Sequence, residues 1–168
     1  MAAQKKVVIR QFQGGLSWGY LPSCGFLEEG YVTLMEVNGR AKTLDFKDIK
    51  TICYVRDFNL DDPSDPERLG RRSYQTRPRG EGLWVRLVFR DNETLEGMSS
   101  LDMAFIDSLL DERGIFLGPP DPRANAQRVF VPRAALTSFE VLGYITAPSK
   151  RPAARTSKHL GQPRLFSE

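Results

Sequence analysis

GYVTLMEVNGRAKTLDFKDIKTICYV, residues 30–55, sets the fold class. GYVTLMEV is a β-prone run, as a strand requires. Asn38-Gly39 then punctuates the pattern. Asn-Gly between strands predicts a type I′ hairpin, because both residues accept positive φ. AKTLDF reads as the returning strand. DIKTICYV, with Ile49, Ile52 and Tyr54, reads as a short turn followed by a closing strand.

Working outward, KVVIRQF, the turn QGGL and LSWGYL add a hairpin on the N-terminal side, for about five strands in the first part of the chain. Residues 59–81, with three prolines and five charges of each sign, read as a linker or a long excursion. The strand pattern resumes at LWVRLVF, turns at RDNE and continues through TLEGMSS. LDMAFIDSLLDER changes period: Leu101, Phe105, Ile106 and Leu109 share a helical face, with Ser99 and Asp102 as a capping pair and Gly114 as the stop. GIFLGPP, QRVFVPR and LTSFEVLGYI complete the second set.

The two sets read as a degenerate repeat. VIRQFQGGLSWGYL parallels VRLVFRDNETLEGM, each reaching a glycine, Gly19 or Gly97. GYVTL parallels GIFL, and TLDFKDIKTICYV parallels RVFVPRAALTSFEV. The order also resembles the Sm-like (LSm or Hfq-type) family. Residues 30–55 are similar to the later strands of that small barrel, and VRLVFRDNETLEG to its opening hairpin. The resemblance implies a mainly β protein of two small Sm-like β-barrels in tandem, with one short helix in the second. The domains it implies are 1–58 and 82–146, a charged linker at 59–81 and a flexible basic tail at 147–168. As a function it implies RNA binding, working as a ring or homo-oligomer.

Net charge is +3, but residues 147–168 alone carry five basic side chains and one acidic. The folded body is therefore near neutral, which argues against a broad nucleic-acid platform. No apolar run approaches a membrane span, and the start lacks the apolar core of a secretory signal. Cys24 and Cys53 lie far apart without CxxC spacing, and His159 sits in the tail. These features predict a cytoplasmic protein with no metal, no cofactor and no catalytic residues.

Two binding patterns remain. Arg68 and Arg72 form RxxxR, and Asn92, Thr94 and Gly97 form a variant of (D/N)xSxxG. Together they resemble the PilZ domain, which clamps cyclic di-GMP through guanidinium forks. The second pattern is the tail APSKRPAARTSKHLGQPRLFSE, whose composition predicts disorder. Within it Gln162, Leu165 and Phe166 form QxxLF. This resembles the peptide with which bacterial replication and repair proteins dock on the DNA polymerase sliding clamp, although Pro163 and Arg164 replace the commoner Leu and Ser or Asp. Pro163 biases Gln162 toward an extended shape. Burying Leu165 and Phe166 supplies about 3–6 kcal/mol gross. Lys150, Arg151, Arg155 and Lys158 would add attraction to DNA threaded through the clamp. Docking of the tail on its own body or on a neighbouring subunit is the alternative.

Overall fold

Why should β1 carry three consecutive apolar residues, Val7, Val8 and Ile9, where a half-buried strand would alternate? In the computed structural model all three are buried, because their sheet is covered on both faces. Val7 and Ile9 enter one core with Leu21, Val32, Leu34, Ile49 and Ile52. Val8 points the other way, into a second core with Cys53, Val85, Leu87, Phe89 and Leu117. The structure describes residues 4–22, 25–103, 105 and 113–146. The tail peptide, the basic tail residues, Cys24 and most of the expected helix lie outside these residues.

Mainly β is what the described residues show. The first set comprises β1 (Gln4–Gln11), β2 (Leu16–Pro22), β3 (Leu27–Glu28), β4 (Tyr31–Glu36), β5 (Ala41–Asp45) and β6 (Ile49–Val55). The second comprises β7 (Gly82–Phe89), β8 (Thr94–Ser99), β9 (Gly114–Leu117), β10 (Ala126–Pro132) and β11 (Leu136–Ile145). They form two sheets. One runs β3-β4-β2-β1-β6-β10-β9, with β5 paired to β4, and the other runs β11-β7-β8. Neither closes on itself among the described residues. The larger sheet crosses the boundary expected between domains: β10 pairs with β6 through Phe130↔Ile52 and Val129↔Cys53.

The two sets nevertheless share one pairing scheme. Val7 lies opposite Gly19 and Val85 opposite Gly97. Each closing strand follows a 3₁₀ turn, Phe46–Asp48 or Arg133–Ala135. Each then shifts register at its second residue. Lys50 is skipped between Gln11↔Ile49 and Arg10↔Thr51, and Thr137 between Leu136↔Phe89 and Ser138↔Val88. A bulge next to a tight corner bends the strand sharply, so both closing strands turn at the same place.

Two local expectations are corrected. Gly39 has φ +82, but Asn38 is not among the residues with positive φ, so the turn is not type I′. Gly39 N–H donates to Glu36 O at 2.9 Å and Glu36 N–H to Arg40 O at 2.8 Å. That is a three-residue loop with its last residue left-handed. Gly14 (φ +76) and Asn92 (φ +64) occupy the same place in the β1–β2 and β7–β8 hairpins. The second correction concerns capping. Ser99 ends β8, and its hydroxyl donates to Phe116 O at 3.0 Å. Asp102 supplies the cap instead, accepting from Phe105 N–H at 2.9 Å and from the Ser100 hydroxyl at 2.9 Å.

Residues 59–81 contain no strand, yet they are pinned to both sets. Glu67, 3% exposed, pairs with Arg10 of β1, and its carbonyl accepts from Ala126 N–H at 2.9 Å. Arg72 O accepts from Glu96 N–H of β8 at 2.7 Å. The excursion thus straps the first sheet to the second. Cys53 is buried, and burial pushes its thiol up to about 12, which removes the reactive thiolate.

Candidate functional site

The polar side chains of the body gather in two places, and the excursion 59–81 contributes to each. The first surrounds β8. Glu96 is 6% exposed. Its Oε2 accepts from Tyr74 N–H at 3.0 Å and from Trp84 Nε1–H at 3.2 Å. Its Oε1 accepts from Arg86 Nη2–H at 3.0 Å, and Arg86 reaches on to Glu140 at 3.4 Å. Beside it, Lys50 pairs with Asp91 and with Glu93 at 2.8 Å, and Arg72 also pairs with Glu93. The Lys50 ammonium lies 5.1 Å from the Phe89 ring centre. Two cations meet two anions here, and Glu96 meets Arg86. Every charge in the cluster has a partner of opposite sign, as a structural network requires.

Burial alone would raise the pKa of Glu96. The hydrogen bonds from Tyr74, Arg86 and Trp84 outweigh it and hold the carboxyl below its usual range. The sign follows directly. The unfolded chain takes up this proton at a higher pH than the folded one, so the contribution is complete above the unfolded carboxyl range. It is lost as pH falls through the folded value. Glu96→Gln is expected to cost about 2 kcal/mol at pH 7, from weakened charge-assisted hydrogen bonds. Its urea midpoint should fall less than that of the unaltered protein between pH 5 and pH 3. Parallel acid limbs for the two proteins would disprove this assignment.

The second place is a cleft of about 240 Å³ lined by Arg56, Asp57, Phe58, Asn59, Arg68, Arg123, Ala124 and Asn125. Asn125 joins its three walls. Its backbone N–H donates to Arg68 O at 3.3 Å, and its carbonyl accepts from Arg56 N–H at 3.0 Å. Its side chain accepts from Asp57 N–H at 3.1 Å and donates to the carbonyls of Asp57 at 2.6 Å and Pro66 at 3.2 Å. Arg68 adopts φ +42. Asp57 is paired with Lys6 at 2.7 Å, and the hydrogen bond from that ammonium holds its carboxyl below the usual range.

These two places separate the residues of the RxxxR pattern. Arg72 lies beside the β7–β8 hairpin, committed to Glu93, whereas Arg68 lines the cleft. Asn92 supplies the left-handed residue of that hairpin, Thr94 opens β8, and Gly97 packs against Leu117. Gln162, Leu165, Phe166, Lys150, Arg151, Arg155 and Lys158 all lie outside the described residues. Sequence reasoning missed Glu96, Glu67 and Asn125. In sequence the acidic pair is indistinguishable from solvated charges, and Asn125 stands in a turn-forming run, Asp121-Pro-Arg-Ala-Asn125.

A shallow groove of about 510 Å³ lies elsewhere, lined by Leu16, Trp18, Val37 and Leu60 among others. Among the described residues no group of three His, Cys, Asp or Glu side chains converges as a metal site would require, and no helix is long and apolar enough to cross a membrane. No curated protein and no solved structure matches the chain. The model of one family does, over residues 3–143, a span that takes in both strand sets and the strapping excursion. The chain therefore belongs to a family of unknown function, DUF6982.

Proposed function

We propose that this chain is a non-enzymatic adaptor of the cytoplasm, in which two Sm-like small β-barrels in tandem carry a tail peptide that docks on the bacterial DNA polymerase sliding clamp. Replication or repair is its setting. The fold part of this reading is supported by the shared pairing scheme of the two strand sets: hairpin, glycine-bearing second strand, 3₁₀ corner, bulged closing strand. Each unit is open between its last two strands, where the 3₁₀ turn makes the corner. The observation that carries the function is Gln162-Pro-Arg-Leu165-Phe166 at the end of a basic, Pro- and Ala-rich segment. An extended peptide offers one amide and two apolar anchors, which suits reversible capture in a preformed groove. Lys150, Arg151, Arg155 and Lys158 would strengthen the complex when DNA threads the clamp.

The cyclic-dinucleotide reading is weaker. It would need Arg68 and Arg72 on one ligand, and Arg72 is already paired with Glu93. The adaptor reading is tested by titrating purified clamp into the full chain and into the Leu165→Ala, Phe166→Ala double variant. Deleting two buried anchors should weaken binding at least 100-fold, on the order of 3 kcal/mol. Equal affinity of the two proteins, or no binding by either, would remove the proposal.

A further inference from the structure

We infer that the cleft bounded by Arg56, Arg68 and Arg123 binds a small anion bearing two linked phosphates. The argument rests on the body of the protein and is independent of the tail. Three guanidinium groups come from three separate segments, and none of them hydrogen-bonds or ion-pairs with a described residue. Six other basic groups, Lys6, Arg10, Lys47, Lys50, Arg72 and Arg86, each have a carboxylate. Among the described residues Asp57 is the only carboxylate lining the cleft, and Lys6 takes it from outside. Asp62 acts on Arg68 at longer range, so the cleft carries a surplus of about two to three positive charges, which a diphosphate group of two to three negative charges matches.

The site is also built. Asn125 bonds the backbone beside Arg56 and Arg68 while lying two residues from Arg123, so the three arginines stem from a fixed frame. Asn59 lines the same cleft, and its Nδ2 is buried with no acceptor among the described residues. A buried amide donor without a partner costs free energy, and a phosphate oxygen would supply the acceptor. The size restricts the ligand: about 240 Å³ admits a compact anion. Phe58 adds no free ring for base stacking, since it packs edge-on against Tyr20 at 5.5 Å and lies under the Lys6 ammonium. Recognition is by charge and donor geometry, which selects the diphosphate group over a nucleobase.

The test uses inorganic pyrophosphate as the probe and the full chain, by calorimetric titration at 50 mM salt. Saturable one-to-one binding is expected. Arg56→Ala and Arg123→Ala should each weaken it at least tenfold, and Asn59→Ala several-fold. Arg71→Ala combined with Arg77→Ala removes two charges outside the cleft and should change affinity less than twofold. All of these positions except Asn59 are exposed, so the arginine variants keep the fold, which an unchanged urea midpoint checks. Absence of saturable binding, or equal loss in the Arg71, Arg77 control, would overturn the inference. A single-stranded oligonucleotide is the second arm. Tighter binding of the oligonucleotide, lost in the same cleft variants, would overturn it in favour of a nucleic-acid backbone.

Discussion

Gly19→Ala should destabilise the protein by about 3 kcal/mol. Gly19 lies in β2 where that strand leaves β1 to pair with β4, opposite both Val7 and Glu36. A Cβ there would overlap the carbonyl oxygen of Met35 and press on its carbonyl carbon and on Leu34. The obstacle is backbone in a paired strand, which no side-chain rotation can clear. Either the β2–β4 ladder opens or β2 shifts against the core containing Leu21 and Leu34. For a chain of this size the loss corresponds to a melting point lower by about 6–12 °C. Gly97→Ala, at the equivalent place in β8, should cost less, about 1–2 kcal/mol. Its Cβ would meet Leu117 Cβ at 2.9 Å and Gly118 O at 3.0 Å, and Leu117 can yield somewhat. Gly143→Ala is the internal control, because nothing lies within 4 Å of its Cβ. Urea titration of the three variants checks the ranking, and a Gly19→Ala midpoint no lower than that of Gly143→Ala would refute it.

The correspondence of Gly19 with Gly97 was legible in the sequence, because each glycine follows the same order of strand, polar turn and strand. So were the hairpins, the short turn after Asp45 and the closing strands, all local consequences of turn chemistry and period. What escaped was of two kinds. The β6–β10 seam joins strands more than 70 residues apart, and no local pattern announces such a pairing. Its trace was the continuous run Val7-Val8-Ile9 and the equally apolar ICYV of β6: strands buried on both faces must have something on the second face. The second kind was the fate of charges. Glu67, Glu96 and Asp61 are alike in sequence, yet the first two are buried on specific donors while Asp61 is exposed. Placement of an acid depends on which N–H groups the fold brings to it. That is also why Arg68 and Arg72, four residues apart, face different surroundings.

The same seam yields the second large effect. Phe130→Ala should cost about 3–5 kcal/mol and should do so for both strand sets at once. Phe130 belongs to β10 by chain order, yet it is 3% exposed in the core built on Val7, Ile9, Val32, Leu34 and Ile52. Its ring lies 4.9 Å from Phe116, 5.2 Å from Phe26 and 6.2 Å from Phe46. Its immediate neighbours Val129 and Val131 point into the other core, with Val85 and Leu87. One strand thus has a face in each core, and it bonds to β6 along its edge. Removing the Phe130 ring leaves a cavity in the first set, whose lining is held by strands that also form the floor of the second. Partial unfolding of either set would strip the cover from Val8 and Cys53 or from Ile52, so neither core can open alone without exposing the other. The two tryptophans make this measurable. Trp18 lies in β2 and Trp84 in β7, so Trp18→Phe and Trp84→Phe backgrounds each leave one fluorescent reporter, in the second and first set respectively. In both backgrounds Phe130→Ala should move the urea midpoint down by the same amount with an unchanged slope. A midpoint that moves for the Trp18 reporter while the Trp84 reporter stays in place would mean that the two sets fold independently, and the strand they share would then be a contact surface between domains.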